Sequence, residues 1–130
     1  LSATMIHAAA RRNRVALRTR RIALMRGTVT ALPFAAQHFD KILSIHTFYF
    51  WPDPLAIFAD LVRILKHRGT LVVTFATGQM GATGEWMYWP LQQQVETLVQ
   101  ELQQWEIASV ALAYGPRSRQ YNNVAIVLHK

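Results

Sequence analysis

The chain has 130 residues, a length that suits one domain with a core of ordinary size. Hydrophobic residues make up 52% of it and charged residues 16%, which is a globular composition and excludes an intrinsically disordered chain. It contains no cysteine, which excludes disulfides and thiolate metal sites and favours a cytoplasmic location. No apolar run is long enough to span a bilayer and the first residues lack a signal-peptide pattern, so we expect no membrane partner.

Positive charge is concentrated near the amino terminus. The chain has 14 Lys and Arg against 7 Asp and Glu, a formal net charge of +7. Seven of the basic residues fall in one short stretch: Arg11, Arg12, Arg14, Arg18, Arg20, Arg21 and Arg26. Such a cluster can attract phosphates or an anionic surface. The solvated face of a surface helix is the simpler interpretation, because no motif for base readout or stacking accompanies the arginines.

The first predicted elements are a helix and a short strand. Residues 3 to about 17 place apolar side chains on one face and arginines on another, which predicts an amphipathic helix with Ser2 as its N-cap. The apolar run between Arg21 and Arg26 predicts a buried strand that ends before Gly27.

A strand, a helix and a second strand are predicted next. Asp40 to Ile45 is an apolar run that predicts a strand buried on both faces. Asp53 and Pro54 suit the cap and the first position of a helix, and Gly69 suits its end. The apolar stripe of that helix is Leu55, Phe58, Val62 and Leu65. Leu71 to Phe75 predicts a strand parallel to the first, in a right-handed βαβ unit.

The carboxyl-terminal third predicts a loop, a helix and a hairpin. The loop contains Gly78, Gly81 and Gly84, and is interpreted either as a lid or as an ordinary surface loop. Pro90 opens a helix whose apolar positions are Leu91, Val95, Leu98, Val99, Leu102 and Trp105. The runs Ile107 to Ala113 and Val124 to His129, joined through a Gly115-Pro116 turn, predict an antiparallel hairpin.

The middle of the chain carries motifs of a known family. They are Leu32-Pro33-Phe34, Phe39-Asp40, Arg63, Leu65-Lys66 and Gly69. In this order the segment resembles class I S-adenosylmethionine-dependent methyltransferases of the broad small-molecule type, also called methyltransferase type 11. The resemblance implies an α/β fold. It would be a partial Rossmann-like sheet, mostly parallel with a C-terminal antiparallel hairpin and with helices on both faces.

The resemblance also implies S-adenosylmethionine as cofactor and assigns residues to it. The cofactor-binding residues it implies are Ser2, Met5, Thr28, Val29, Ser44, Ile45 and His46. Of these, the last three would lie beside the methionine part, and the others near the ribose and adenine. Tyr49, Phe50 and Trp51 would face the methyl acceptor, and His46 is the candidate catalytic base. These residues also have purely structural interpretations. Met5 would fill the core, Ser44 would satisfy backbone groups at the strand end, the three aromatic residues would pack, and His46 would be a structural or exposed histidine.

Two departures from the family pattern concern the cofactor. The glycine-rich loop, the first two strands and the ribose-binding acid would all fall upstream of Leu1, so residues 1–130 are interpreted as one N-terminally incomplete methyltransferase domain. Thr28 stands where the family usually has an adenine-binding aspartate. In the family strand order 3-2-1-4-5-7-6, the missing strands are central. We therefore expect an exposed apolar edge at Lys41 to Ile45 and self-association, or a complementing N-terminal segment.

Three functions remain open on the sequence. The first is S-adenosylmethionine-dependent methyl transfer to a small-molecule acceptor, carried out by a partial domain. The second is a non-catalytic α/β module used for dimerisation or partner binding, and the third is a basic module that binds RNA. The five histidines show no close ligand spacing, so no metal site is predicted.

Overall fold

The computed structural model describes residues 2–78, 89–107, 109–117 and 121–130. They form two compact units, Leu1–Pro33 and Phe34–Lys130. The loop that contains Gly78, Gly81 and Gly84, interpreted as a lid or as an ordinary surface loop, lies outside the described residues, apart from the backbone of Gly78 at its start. Within the described ranges, no helix combines the length and the apolar character needed to cross a membrane.

The amino-terminal unit contains two short helices where one was predicted. Helix α1 spans Ala3–Arg12 and helix α2 spans Arg14–Arg18. Asn13 separates them with a φ of −109° and a ψ of 25°, and its side-chain amide donates to the carbonyl oxygen of Ala9 at 3.0 Å. Asparagine side chains compete with the helix for backbone partners in this way. Ser2 does occupy the N-cap position, but its side chain makes no capping hydrogen bond.

The strand predicted between Arg21 and Arg26 is wrong. Residues 22–27 are irregular, and Leu24 and Met25 are 37% and 52% exposed. A strand is held by ladder hydrogen bonds to a neighbour, and within the described residues this run has none. The nearest pairing is an isolated bridge between Thr28 and Ala31.

The carboxyl-terminal unit is built on a four-stranded sheet. Its strands are β1 (Phe39–Ile45), β2 (Leu65–Gly78), β3 (Ser109–Arg117) and β4 (Tyr121–His129), in the spatial order β1-β2-β4-β3. The β1–β2 pair is parallel and the other two pairs are antiparallel, which confirms the βαβ unit and the terminal hairpin. This order is the 4-5-7-6 half of the sheet that the resemblance implies.

Helices α3 (Pro54–Ile64) and α4 (Trp89–Leu102) pack against the sheet and against each other. Asp53 caps α3 as predicted, since its carboxylate accepts a hydrogen bond from the backbone N–H of Ala56 at 3.0 Å. The buried stripe of α3 is rotated from the predicted one and consists of Ile57, Phe58, Leu61 and Ile64. Four of the six predicted apolar positions of α4 are buried, namely Val95, Leu98, Val99 and Leu102, whereas Leu91 is half-buried and Trp105 lies beyond the end of the helix.

Strand β1 is the edge of the described sheet, and the prediction that both its faces are buried is wrong. Leu43 and Ile45 are 63% and 58% exposed. They share a face with Val72 and Thr74 of β2, which are half-buried, whereas Val73 lies on the fully buried face. The expected apolar edge is therefore present.

Two glycines lie inside strands and not at the predicted boundaries. Gly69 is buried in β2, where an added Cβ would lie 2.7 Å from the carbonyl oxygen of Lys66 and would also meet the Leu65 side chain. A close backbone approach therefore requires glycine there. The predicted turn at Gly115 is wrong as well, because this residue lies in β3 next to an irregularity that follows Tyr114.

An ion pair joins β1 to β2 near the first residues of both strands. The Lys66 ammonium lies 3.0 Å from both carboxylate oxygens of Asp40. This hydrogen-bonded contact with Lys66 holds the pKa of Asp40 below its ordinary value. The stabilisation is therefore present at neutral pH and is lost as the pH falls through the lowered pKa.

Replacing the cap residue, Asp53→Ala, is expected to reduce the free energy of unfolding by about 1 kcal/mol, because the N–H of Ala56 loses its acceptor. Urea unfolding followed by circular dichroism measures it. Asp60→Ala is the matched control, since it removes only a surface ion pair of 2.7 Å with Arg63, worth about 0.3–0.5 kcal/mol. Equal losses in both variants would contradict the capping role.

Candidate functional site at the carboxyl ends of the parallel strands

The parallel strands β1 and β2 end at the same edge of the sheet, where open α/β sheets bind their ligands. The chain leaves β1 at His46, whose φ of 51° lies in the left-handed region. Its backbone N–H still donates to the carbonyl oxygen of Thr74 in β2 at 2.9 Å. The chain thus turns away from β1 while it keeps this hydrogen bond to β2, and the His46 side chain is exposed.

Hydroxyl groups tie this turn to the strand ends. The Ser44 and Thr47 hydroxyls share a hydrogen bond of 2.6 Å, and the Thr74 hydroxyl donates to the Ser44 carbonyl oxygen at 3.4 Å. Ser44 is half-buried, as expected for a side chain at the end of a strand that bonds the next turn. Thr47 and Thr74 were not predicted as site residues.

Tyr49 fixes the turn to β2. Its hydroxyl donates to the carbonyl oxygen of Ala76 at 3.1 Å and accepts the N–H of the same residue. The His46 ring lies nearly parallel to the Tyr49 ring, at 10° with centroids 6.4 Å apart, and His46 Nδ1 is 3.4 Å from the Tyr49 hydroxyl. We call Ser44, Ile45, His46, Thr47 and Tyr49 the crest cluster.

The four aromatic residues 48–51 divide between core and surface. Phe48 and Trp51 are 4% and 7% exposed, whereas Tyr49 and Phe50 are 43% and 81% exposed. The Trp51 ring packs against Phe58 of α3, with centroids 5.6 Å apart. Among the three predicted acceptor residues, the structure thus exposes Tyr49 and Phe50 and buries Trp51. An acceptor role stays a prediction for all three.

A cavity of about 410 Å³ opens beside the crest cluster. We call it the hairpin cavity, and its lining residues are His46, Thr74, Phe75, Ala113, Tyr114, Gly115, Asn123, Val124 and Ala125. It brings the crest histidine together with the terminal hairpin, because β4 pairs with β2 and β3 with β4. The sequence analysis missed Tyr114 and Asn123 as site residues. The strand order of the family was the one signal that could have placed them there.

A second cavity, of about 610 Å³, lies on the helical side of the same turn. Trp51 and Asp53 line it together with Gln93, Thr97 and Glu101 of α4, among others. The indole N–H of Trp51 is buried and has no hydrogen-bond acceptor among the described residues. Among the lining residues of this cavity, only Trp51 was predicted as a site residue.

The other predicted cofactor residues belong to the amino-terminal unit. Ser2 and Met5 are exposed, Met5 by 68%, at the start of α1. Thr28 and Val29 share a tight turn in which the Thr28 hydroxyl bonds that of Thr30 at 2.9 Å, and Val29 is half-buried. The structure thus brings Thr28 and Val29 together in one unit, and the crest cluster together in the other.

This arrangement defines a class of protein: an α/β domain of the Rossmann-like type, with a crest at the carboxyl ends of parallel strands and a terminal antiparallel hairpin. Its family follows from a direct comparison. A family model described as a methyltransferase domain matches residues 1–73, more than half of the chain. The chain belongs to this methyltransferase family.

Known proteins resemble parts of the chain. It is 26% identical over 85 residues to the uncharacterized methyltransferase YdaC of Bacillus subtilis (strain 168), covering 65% of this chain and 45% of that protein. The crystal structure of a SAM-dependent methyltransferase from Aquifex aeolicus superposes with a TM-score of 0.66 at 14% identity, covering 98% of this chain and 65% of that one.

The [4+2]-cyclase SpnF also has the same fold, with a TM-score of 0.70 at 15% identity over 99% of this chain and 64% of its own. At these identities the likeness shows the fold alone, and a fold does not determine a reaction. The chain spans about half the length of the curated relative that it matches.

Proposed function

We propose that the chain forms the acceptor side of an S-adenosylmethionine-dependent methyltransferase that acts on a small molecule. The crest cluster carries this proposal. Its left-handed turn exposes the imidazole of His46 beside the aromatic face of Tyr49, at the sheet edge where family members place their chemistry. The hairpin cavity of about 410 Å³ next to it has the size and the mostly apolar lining of a small-molecule site.

The crest residues fit the methionine part of the cofactor. When bound, S-adenosylmethionine supplies a methyl group activated on a positively charged sulfonium. Aromatic faces and carbonyl oxygens attract a cation, and the crest offers the half-exposed ring of Tyr49 and the strand-end carbonyl of Ser44. Ser44, Ile45 and His46 would hold this part.

The family resemblance assigns the adenosine part to Ser2, Met5, Thr28 and Val29. The fit is weaker here, because no Asp or Glu occurs before Asp40 and hydroxyls must replace the usual carboxylates. We propose that the missing acid and the glycine-rich loop come from a further N-terminal segment. Residues 1–130 would then be one incomplete methyltransferase domain.

The chain's own groups have simple tasks in such a reaction. His46 would take a proton from the acceptor at a ring nitrogen, and Tyr49 and Phe50 would contact the acceptor and exclude water. Trp51 would support that wall from the core side, where it packs against Phe58. Alignment and desolvation are the main requirements of methyl transfer, so the proposed reaction needs no catalytic triad.

The exposed edge of β1 suggests how the domain is completed. Leu43 and Ile45 are each more than half exposed on a strand that pairs, among the described residues, with β2 alone. Either the N-terminal segment or a second copy of the chain would cover this edge. The absence of cysteine from the chain favours a cytoplasmic location for the assembled enzyme.

Calorimetric titration with S-adenosylmethionine and S-adenosylhomocysteine tests the proposal. The sample is the full-length protein that contains residues 1–130. Tyr49→Ala is expected to weaken binding of both about tenfold, or about 1.4 kcal/mol, because the crest loses its bond to Ala76 and its aromatic face. Tyr114→Ala, which changes only the wall of the hairpin cavity, should leave the affinity within about twofold. The absence of heat with either ligand from a folded sample would contradict the proposed function.

A further inference from the structure

The whole net charge of the chain lies in its first part. Residues 1–39 contain seven arginines and no Asp, Glu or Lys. The remaining residues contain seven basic and seven acidic side chains, which balance. The charge of +7 is therefore a local property of the amino-terminal region.

The structure gathers part of this charge around a cavity of about 470 Å³ on α1 and α2. We call it the arginine basin, and its lining residues are Arg11, Arg12, Asn13, Arg14, Val15, Ala16, Thr19 and Arg21. All four guanidinium groups are exposed. Across the part of the chain that is described, none of them has a carboxylate within salt-bridge distance or a side-chain hydrogen bond.

Helix stability explains only some of these arginines. Arg11 and Arg12 lie in the last turn of α1, where the helix dipole favours positive charge. Arg14 is the first residue of α2, where the dipole disfavours it, and Arg21 lies beyond the end of that helix. Four like charges around one concavity repel each other, and a bound anion would offset this repulsion.

We propose that the arginine basin binds consecutive phosphates of a nucleic-acid strand through the phosphodiester backbone. Guanidinium groups match phosphate in a two-pronged geometry. Three further arginines, Arg18, Arg20 and Arg26, extend the charge beyond the basin, which suits a linear polyanion more than one compact phosphate. No Phe, Tyr or Trp occurs before Phe34, so the basin lacks a stacking platform of these rings and would bind without reading the bases.

A membrane surface fits the same charge less well. Insertion of an amphipathic helix requires a continuous apolar face rich in large side chains. The exposed large apolar side chains on α1 and α2 are Met5 and Val15, at 68% and 75%, and they are ten positions apart. The other apolar positions of these helices are small or half-buried.

Fluorescence anisotropy with a labelled single-stranded RNA of mixed sequence tests the proposal, with DNA of the same sequence in a second arm. If four phosphates contact the basin, the slope of log K against log salt should be about −3. Arg12→Gln with Arg14→Gln is expected to weaken binding at least tenfold in about 100 mM salt and to reduce the slope by about 1.4. DNA should bind similarly, because the backbone chemistry is shared.

The control removes two charges elsewhere. Lys41→Gln with Arg68→Gln lowers the net charge equally on the carboxyl-terminal unit and should change the affinity less than twofold. Circular dichroism establishes that both double variants fold. An equal loss in the control would overturn the proposal in favour of a general charge effect. Binding of inorganic triphosphate as tight as that of RNA, or binding of phosphatidylserine vesicles without binding of RNA, would also overturn it.

Discussion

The substitution Phe75→Ala is expected to lower the free energy of unfolding by about 3–5 kcal/mol. Phe75 is fully buried in β2, and its ring stacks on that of Phe48 with centroids 5.1 Å apart. Removal of the ring leaves a cavity between the sheet and the turn that follows the crest. Urea unfolding followed by tryptophan fluorescence measures the loss, and Trp51 is a suitable reporter because it packs against Phe48 at 5.4 Å.

A matched control separates the loss of core packing from the loss of an exposed ring. Phe50→Ala is the matched control, since its ring is 81% exposed and its removal should cost no more than about 0.5 kcal/mol. If Phe48 anchors the crest, Phe75→Ala should also weaken S-adenosylhomocysteine binding at temperatures where the protein remains folded. A loss below about 1 kcal/mol would show that the core between β2 and the turn is not packed as described.

Local signals account for the parts of the fold that the sequence predicted. Asp53 followed by Pro54 marks a helix start by chemistry confined to one turn, and the structure has that cap. The apolar runs of β1 and β2 flank that helix, so a parallel pairing was the simplest arrangement. His46 was predicted at the carboxyl end of the parallel strands because it directly follows Ile45, the last residue of β1.

The errors arise where a pattern depends on a distant partner. The run between Arg21 and Arg26 has the hydrophobicity of a strand, but a strand also needs a neighbour, and periodicity does not reveal whether one exists. Leu43 and Ile45 were predicted buried for the same reason, since exposure depends on what covers the other face of β1. The family resemblance bears only on the edge, because its strand order places other strands beside β1.

Within the candidate site, sequence alone could not separate Tyr49 from Trp51. The short helical turn Phe48–Phe50 sends neighbouring rings in different directions, so burial does not follow the alternation of a strand. The hairpin cavity could not be predicted from the sequence for another reason. Tyr114 and Thr74 are far apart in the chain and line one cavity only through the register of three strands.

His46→Asn is expected to reduce the rate of methyl transfer by about 100-fold or more, on the proposed function. Asparagine tolerates the left-handed backbone that His46 adopts, at a φ of 51°, so the turn should survive while the base is lost. The assay uses S-adenosylmethionine labelled in its methyl group and an acceptor found by screening small hydroxyl, amine and thiol compounds. Affinity for S-adenosylhomocysteine should change by no more than about twofold, because the bond from the His46 N–H to Thr74 is retained.

Two further variants distinguish a base from a residue that only shapes the turn. The control His67→Asn, at the opposite end of β2, should keep the wild-type rate. A rate within threefold of wild type in His46→Asn, combined with a large loss in His46→Val, would show that His46 serves the backbone turn and would exclude proton transfer. The reason is that a β-branched side chain is strained at positive φ by about 1–3 kcal/mol.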